Sequence, residues 1–306
     1  MILIITHKTD FTADFVVNKL NQRGVGYRRF NCEDILLKEF SFKFSNDFEY
    51  SLLNEHNYES VWFRRTKLPE IQGMSNEEKM YVLNEIDGLF KNIFSSLPAK
   101  WLSPPVSVYQ AENKLLQLKT AKRIGFKIPN TLVTNSKSEL ESFYSENGRD
   151  IIIKPLSQTR VSNDDNTAFI FTNVVPQNLI DQIEEFDLTP CIFQRNIPKE
   201  YEVRVTVVGE NVFAAAVYSQ SDEETKADWR RKPLVFNEVS LPNEIENLCV
   251  QILRELNLGF GAIDLIKTPE GEYVFLEINP NGQWVWIENQ TGQKISDAII
   301  EYLTNE

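Results

Sequence analysis

The sequence has little of what many active sites and membrane segments need. Its 306 residues include 2 His and 3 Cys, and Cys32, Cys191 and Cys249 lie far apart with no CxxC spacing. This scarcity argues against a disulfide framework, a zinc site and most histidine-based catalysis. No apolar run approaches the length of a membrane span or of a signal-peptide core. We therefore expect a cytoplasmic protein without a membrane partner.

Positive charge is also in short supply. The chain has 32 Lys and Arg against 44 Asp and Glu, which gives a net charge of −12 and argues against a nucleic-acid partner. With 42% hydrophobic residues, 12 Gly and 13 Pro, the composition is neither disordered nor fibrous. The length fits two or three lobes rather than one small domain.

The first third of the chain reads as an α/β domain. A short apolar run at residues 2–5 predicts a buried strand, and apolar residues at helical spacing over 11–22 predict a helix that stops at Gly24. The helical pattern of residues 75–96 breaks at Trp101–Pro105. We place the first domain at residues 1–105, followed by one helix over 108–125 and a β-rich section.

The final hairpin, residues 261–284, holds the most informative pattern. If Lys267 pairs with Glu272, Asp264 lies opposite Phe275, and the two-residue period of strands places Asp264, Glu277 and Asn279 on one face. Two carboxylates and an amide carbonyl are oxygen ligands of the kind that Mg²⁺ prefers. The alternative is a hairpin with one solvated face.

Cationic side chains precede this hairpin along the chain. Lys154 follows the apolar run at 151–153, where burial of its stem would direct the ammonium at a phosphate. Lys114 lies on a predicted helix, and for both lysines an ordinary terminal or solvated role is the alternative. Arg204 shares one strand face with Glu202, and Arg230 belongs to a compact basic segment at 228–232. Residues 194–197 form a strand that runs into a bend, whose free backbone groups could bind an adenine edge.

Two lysines, a strand-to-bend, an E-x-R strand, a DWR segment and a D…ExN hairpin follow one another over residues 106–290. This order resembles the ATP-grasp superfamily. The resemblance implies an α/β and α+β architecture, namely an ATP-grasp fold preceded by an N-terminal pre-ATP-grasp α/β domain. It divides the remainder into a central lobe at 106–190 and a C-terminal lobe with the metal site at 191–306. It also implies ATP and Mg²⁺, with two ions.

The resemblance assigns roles to residues by position. Lys114 and Lys154 look like the lysines that contact ATP, and Glu202 meets ribose or substrate. Arg204 and Arg230 resemble the arginines that neutralise the transferred phosphoryl group. The remaining matches are the adenine hinge, Gln194, Arg195, Asn196 and Ile197, and the magnesium ligands, Asp264, Glu277 and Asn279.

Further motifs resemble the graspetide ligases, the microviridin-type peptide maturases. They are VWFRR at 61–65, PKxxEVRVxVVG at 198–209, SQ at 219–220 and EINPNGQW at 277–284. Those enzymes bind a ribosomally made precursor peptide through its leader. They join Asp or Glu carboxylates of the acidic core to Thr or Ser hydroxyls as esters, or to Lys amines as amides. The resemblance thus implies a peptide partner and a macrocyclising ligase.

Four further residues are candidates for contact with that peptide. Arg64 and Arg65 are adjacent on a predicted strand, so at most one of them points into a cleft, where it would bind an acidic side chain. The alternative is a surface arginine. Val212 and Phe213 would accept the leader by hydrophobic contact or edge addition, or are simply core residues. Exposed hydrophobic strands would also permit a homodimer.

Two other functions compete with peptide cyclisation. One is an ATP-grasp ligase that adds amino acids to a small molecule or a protein tail. The other is a non-catalytic nucleotide- or peptide-binding scaffold. The joint presence of Asp264, Glu277 and Asn279 argues against the scaffold, because a protein without catalysis needs no such ligand set.

Overall fold

The computed structural model describes residues 1–44, 47–157, 160–162, 167–184 and 191–304, with the backbone alone described at 160–162 and 167–169. In these residues the strands are β1 (Ile2–Thr6), β2 (Tyr27–Asn31), β3 (Phe40–Phe44), β4 (Phe48–Leu52), β5 (Ser60–Phe63), β6 (Lys100–Trp101), β7 (Thr131–Leu132), β8 (Ile151–Pro155), β9 (Arg160–Ser162), β10 (Thr167–Phe169), β11 (Asn173–Val174), β12 (Cys191–Arg195), β13 (Tyr201–Val208), β14 (Asn211–Val217), β15 (Asn237–Glu238), β16 (Phe260–Lys267) and β17 (Tyr273–Asn279). The helices are α1 (Phe11–Arg23), α2 (Asn76–Ser96), α3 (Pro105–Ala111), α4 (Lys114–Ile124), α5 (Lys137–Glu146), α6 (Gln177–Gln182), α7 (Asn243–Glu255), α8 (Val285–Thr291) and α9 (Ile295–Thr304).

The N-terminal part is built on a parallel sheet in the order β2-β1-β5-β6. Every residue of β1 is buried, as its unbroken apolar run predicts for a central parallel strand. Helix α1 begins at Asp10, whose side chain accepts hydrogen bonds from Thr12 N and Ala13 N, and ends at Gly24, whose φ of 67° suits glycine. The predicted strand, helix and stop are confirmed.

A buried ion pair joins the carboxyl ends of β1 and β5. Arg64 Nε lies 3.1 Å from Asp10 Oδ2, and the side chains are 1% and 2% exposed. Thr6 Oγ1 also donates to Asp10 at 2.6 Å. Burial opposes ionisation of Asp10, but the Arg64 guanidinium outweighs it and lowers the pKa of that carboxyl to about 2. Asp10 therefore stays charged and holds two strand ends together.

The helix predicted over 108–125 is wrong as a single element. The structure has α3 and α4, separated at Glu112 and Asn113. The Asn113 side chain accepts a hydrogen bond from Leu116 N and so caps the start of α4. Asparagine competes for backbone hydrogen bonds in this way, which favours a new helix start over a continuous helix.

Besides the two-stranded pairs β3–β4 and β9–β10, the remaining strands form two antiparallel sheets. One has the order β11-β8-β12-β7 and the other β15-β14-β13-β16-β17. On β13 the residues Val203, Val205 and Val207 are at most 1% exposed and belong to the main hydrophobic core, which also takes in α4 and α7. The alternate residues, including Glu202 and Arg204, face the other side of the sheet. A second core lies under α1, α8 and α9.

The register predicted for the final hairpin is wrong by one residue. Lys267 pairs with Tyr273 rather than with Glu272, and Asp264 does not face Phe275. The turn is one residue longer than assumed, since Thr268 N donates to Glu272 O and closes it.

A β-bulge nevertheless brings the predicted ligands to one face. In the Lys267–Tyr273 register, Asp264 would face Leu276 and Glu277 would point to the opposite side of the sheet. The register shifts between Asp264 and the next residue, so that Asp264 pairs with Glu277. Asn279, two residues further along β17, shares their face.

The sequence patterns missed an aromatic hairpin, β3–β4. Phe42 stacks on Phe48 and Tyr50, while Phe44 is 76% exposed.

Among the described residues, no helix combines the length and the apolar character that crossing a membrane requires.

Replacement of Asp10 by Ala should lower the free energy of unfolding by about 3–5 kcal/mol, because Arg64 would remain buried without its partner. Denaturant unfolding followed by circular dichroism measures this. The matched control is Glu49→Ala, which removes the exposed pair with Lys43 at 3.8 Å; exposed pairs contribute about 0–1 kcal/mol. Equal losses in the two variants would contradict the structural role of Asp10.

Candidate active site

A pocket between the two antiparallel sheets gathers most of the predicted site. Its lining includes, from the predicted set, Lys114, Lys154, Gln194, Arg195, Asn196, Ile197, Glu202, Arg230, Asp264 and Glu277. Arg204 joins this group through Asp264, whereas Asn279 lines a neighbouring pocket. We call the first the nucleotide pocket and the other, between β5, α3 and the end of β17, the second pocket.

Glu277 lies among cations from several elements. Lys114 Nζ is 3.3 Å from Glu277 Oε2 and also donates to Pro155 O at 3.1 Å, so it connects α4, β8 and β17. Burial lowers the pKa of Lys154, and Glu277 offsets part of that effect. Burial opposes ionisation of Glu277, but Lys154, Lys114 and Arg230 outweigh it and lower the pKa of Glu277. Glu277 is therefore a stable anion in a cationic pocket.

The partner of Asp264 is Arg204, directly opposite on β13. Arg204 Nη1 donates to both carboxylate oxygens, at 3.0 and 2.9 Å. Burial raises the pKa of Asp264, as does the like charge of Glu277, while Arg204 lowers it in part. The backbone of Gly282 packs so closely on this arginine that a Cβ at Gly282 would lie 2.7 Å from Arg204 Nη2.

The sequence motifs contain two further supporting residues, to which the family resemblance assigns no role. Asp228 holds Arg230 through two hydrogen bonds, from Nε at 2.8 Å and from Nη2 at 2.5 Å, and it also accepts from Thr172 N. Lys199 Nζ donates to Glu202 at 3.2 Å. Both lie within the motifs themselves, DWR and PKxxE, so spacing could have pointed to them.

The predicted adenine hinge offers fewer free backbone donors than expected. Arg195 N donates to Asn130 O, and Asn196 N donates to Asp150 O, each at 3.0 Å. Gln194 instead supplies an acceptor: its Nε2 donates to Thr131, and its buried Oε1 has no hydrogen-bond partner among the described residues. An unsatisfied acceptor in this pocket suits the amino group of an adenine.

The carboxylates suit a magnesium ion. Like charges directly opposite one another on neighbouring strands destabilise a sheet, and a bound cation removes that repulsion. Among the described side chains, no group of three or more His, Cys, Asp or Glu could hold a metal ion. Two carboxylates alone are too few ligands for Mg²⁺. Asp264 and Glu277 would therefore bind the ion together with the amide oxygen of Asn279 and phosphate oxygens, as hard oxygen ligands do.

The four candidate peptide-contacting residues lie in different places. Arg64 is committed to Asp10, whereas Arg65 lines the second pocket and donates to Asn281 O at 3.4 Å. Val212 lines a groove beside α7, and Phe213 packs on the core under α9, both away from the nucleotide pocket. Strand β15 pairs with β14 at Ala215 and Ala216, and Val239 N donates to Ala214 O, so edge addition on that side is open at the start of β14.

Family comparisons agree with this geometry. The description "RimK-like ATP-grasp domain" matches residues 111–303, and "MvdD pre-ATP grasp domain" matches residues 1–109. The chain belongs to the RimK-like ATP-grasp family. The predicted ATP-grasp fold with a pre-ATP-grasp domain is confirmed, and the protein is an ATP-grasp ligase.

Solved relatives resemble this ligase over its whole length. A RiPP-associated ATP-grasp ligase of Chryseobacterium gregarium, in complex with ADP and a leader and core peptide, is 30% identical with a TM-score of 0.90, and the match covers 99% of this chain and 96% of that one. The macrocyclase MdnC of Microcystis aeruginosa MRC, bound with precursor peptide MdnA, is 31% identical with a TM-score of 0.86, over 100% and 99%. A probable α-L-glutamate ligase of Haemophilus influenzae is 21% identical over 75% of this chain and 79% of its own.

Replacement of Glu277 by Gln should abolish ATP turnover by this ATP-grasp ligase, with a loss of about 10²-fold or more, because it removes a charged metal ligand. ADP release in the presence of peptide measures turnover, and peptide binding should persist. Glu270→Gln, in the exposed turn of the same hairpin, is the control. Turnover that survives in Glu277→Gln would contradict the metal assignment.

Replacement of Lys154 by Met should weaken binding of a non-hydrolysable ATP analogue by about tenfold or more, since a charge-assisted hydrogen bond contributes about 1.5–3 kcal/mol. Isothermal titration calorimetry measures the dissociation constant. Lys119→Met, on the exposed side of α4, should bind like the wild type. Unchanged affinity in Lys154→Met would remove this lysine from the nucleotide site.

Proposed function

We propose that this ligase macrocyclises a ribosomally made precursor peptide. The observation that carries the proposal is the likeness, over the whole chain, to two ligases solved with peptides, at 30% and 31% identity. The pre-ATP-grasp domain is part of that likeness. In this chain the same domain brings Arg65 to the pocket beside Asn279, where a peptide carboxylate could bind.

The proposed reaction has two steps. A side-chain carboxylate of Asp or Glu attacks the γ-phosphorus of ATP, and ADP leaves, which gives an acyl phosphate. A Thr or Ser hydroxyl, or a Lys amine, then attacks the acyl carbon, and phosphate leaves. Each ring thus removes one water from the peptide, and it forms an ester or an amide according to the acceptor.

The charged residues of the pocket meet the needs of the first step. Two anions, the carboxylate and the triphosphate, must approach each other, so positive charge has to surround them. We assign Lys114 and Lys154 to the phosphates of ATP, and Arg230 and Arg204 to the transferred phosphoryl group. Asp264, Glu277 and Asn279 would hold two Mg²⁺ ions, which screen the same charges when bound.

The peptide needs a second anchor besides its reacting core. We assign the core carboxylate to Arg65, which forms no salt bridge within 4.0 Å among the described residues, and leave Arg64 to its pair with Asp10. We assign the leader to the start of β14, where Val212 and Phe213 lie on opposite faces of the strand. The homodimer and the cytoplasmic location remain predictions; three buried thiols, Cys32, Cys191 and Cys249, suit a reducing compartment.

Mass spectrometry of an acidic peptide that also contains Thr, Ser or Lys, taken from a short reading frame next to the ligase gene, tests the proposal. With enzyme, ATP and Mg²⁺, the peptide should lose the mass of one water for each ring, and omission of ATP or use of Glu277→Gln should prevent the loss. A gain of mass would instead indicate addition of amino acids, which the likeness to probable α-L-glutamate ligases favours as the second candidate. An unchanged mass with every acidic peptide encoded nearby would contradict both.

A further inference from the structure

The second pocket follows the nucleotide pocket along β17, on the same face of the strand. Glu277 lines the nucleotide pocket and Asn279, two residues along β17, lines the second pocket. The wall opposite Asn279 is formed by the end of α3 and by the loop after β5, with Glu112 and Arg65. A group bound in the second pocket would therefore lie next to the metal ligands without competing with ATP for space.

A buried glutamine fixes Glu112 beside Asn279. Gln117 Nε2 donates to Ala111 O at 2.6 Å and to Ile278 O at 2.8 Å, and Ile278 N donates back to Gln117 Oε1 at 3.1 Å. The glutamine is 3% exposed, so these hydrogen bonds are shielded from water. We call these three hydrogen bonds the Gln117 clamp. Because Ala111 precedes Glu112 and Ile278 precedes Asn279, the clamp fixes the backbone positions of the two pocket residues relative to each other.

Glu112 is the one carboxylate among the described residues that line the second pocket. The residue as a whole is exposed to solvent, but desolvation of its carboxyl raises its pKa, and Arg65 offsets part of that rise. The described residues provide it with neither a salt bridge nor a side-chain hydrogen bond. A carboxylate that lines the pocket of Asn279 and makes no salt bridge among the described residues is available to a ligand.

The second step of the proposed reaction needs a group that accepts the proton of the acceptor, and the residues assigned so far do not provide one. Hydroxyls and ammonium groups arrive protonated at neutral pH, and their proton must leave as the new bond forms. The nucleotide pocket supplies cations for the phosphates, but each of its four carboxylates already has a partner. Glu202 accepts from Lys199 and Ser219, and Asp228 accepts from Arg230. Asp264 pairs with Arg204 and Glu277 with Lys114, and both are the proposed metal ligands. Glu112 is the neighbouring carboxylate that remains.

We propose that the second pocket binds the acceptor side chain of the peptide, a hydroxyl or an amine, and that Glu112 accepts its proton. This inference rests on the proposed function. As the acceptor oxygen or nitrogen bonds to the acyl carbon, the bond between that carbon and the phosphate oxygen breaks. Phosphate leaves with the electron pair, and the acceptor proton passes to Glu112 and then to water. A lysine acceptor arrives as an ammonium and has two protons to lose. Glu112 binds the ammonium through its negative charge, accepts one proton before the attack and passes it to water, and accepts the second as the amide forms.

Hydroxylamine separates the two chemical steps. It is a small nucleophile that is neutral near pH 7, so it attacks an acyl phosphate without help from a protein base and converts the activated carboxyl to a hydroxamate. The substrate is again the acidic peptide encoded next to the ligase gene, with ATP and Mg²⁺. Mass spectrometry counts the rings formed without hydroxylamine and the hydroxamates formed with it.

Glu112→Gln should form hydroxamate at the wild-type rate, while ring formation falls by about 10²-fold or more, the usual contribution of a general base. Glu112→Asp should recover part of the ring formation. Glu85→Gln, an exposed residue of α2, is the matched control and should behave as the wild type in both assays. Thermal unfolding and binding of an ATP analogue report on whether each variant is folded.

Two results would overturn the inference. Wild-type ring formation in Glu112→Gln would show that no proton transfer depends on this residue. Loss of hydroxamate together with rings would show that Glu112 acts in activation or in folding rather than on the acceptor. Failure of the proposed function looks different, because the wild-type enzyme itself would then yield neither rings nor hydroxamate.

Discussion

Asp264 and Glu277 face each other across two hydrogen-bonded strands, and carboxylates in this position repel unless cations surround them. The site follows from that constraint. Cations reach the pair from α4, β8, β13 and the segment after β14, so each of these elements has to pack against the final hairpin. The cations concerned are Lys114, Lys154, Arg204 and Arg230. An oxygen-seeking metal ion would complete the balance, which explains why a ligand set with two like charges is tolerated in the sheet.

Buried polar side chains connect the parts of the molecule around this centre. Gln117 joins the helices α3 and α4 to the end of β17. Asp10 and Arg64 join the loops that follow β1 and β5. Asp228 holds Arg230 and also accepts a hydrogen bond from the segment before β11. Each satisfies most of its hydrogen-bonding groups, and so acts as a fixed connection whose geometry is more specific than apolar contact alone would be.

The two pockets suit different substrates of the ligase reaction. The nucleotide pocket is rich in cations and suits phosphates, whereas the second pocket combines one carboxylate with Arg65 and suits a peptide that carries both an acid and an acceptor. They follow one another along β17, with Glu277 in the first and Asn279 in the second. Relatives that were solved with peptides share the whole chain, including the domain that supplies Arg65. The family resemblance in the sequence and the arrangement of the pockets thus point to the same chemistry.

By itself, the sequence determined the elements with strong local patterns and the order of the ligand motifs. The strand at β1, helix α1 with its Gly24 end, and strand β13 follow from apolar periodicity and capping, which act between neighbours in the chain. The tertiary structure alone decided the bulge that turns Glu277 toward Asp264, the pairing of Arg64 with Asp10, and the clamp that brings Glu112 to Asn279. Those contacts join residues far apart in the chain, so their geometry depends on how strands and helices pack and is not encoded in any local spacing.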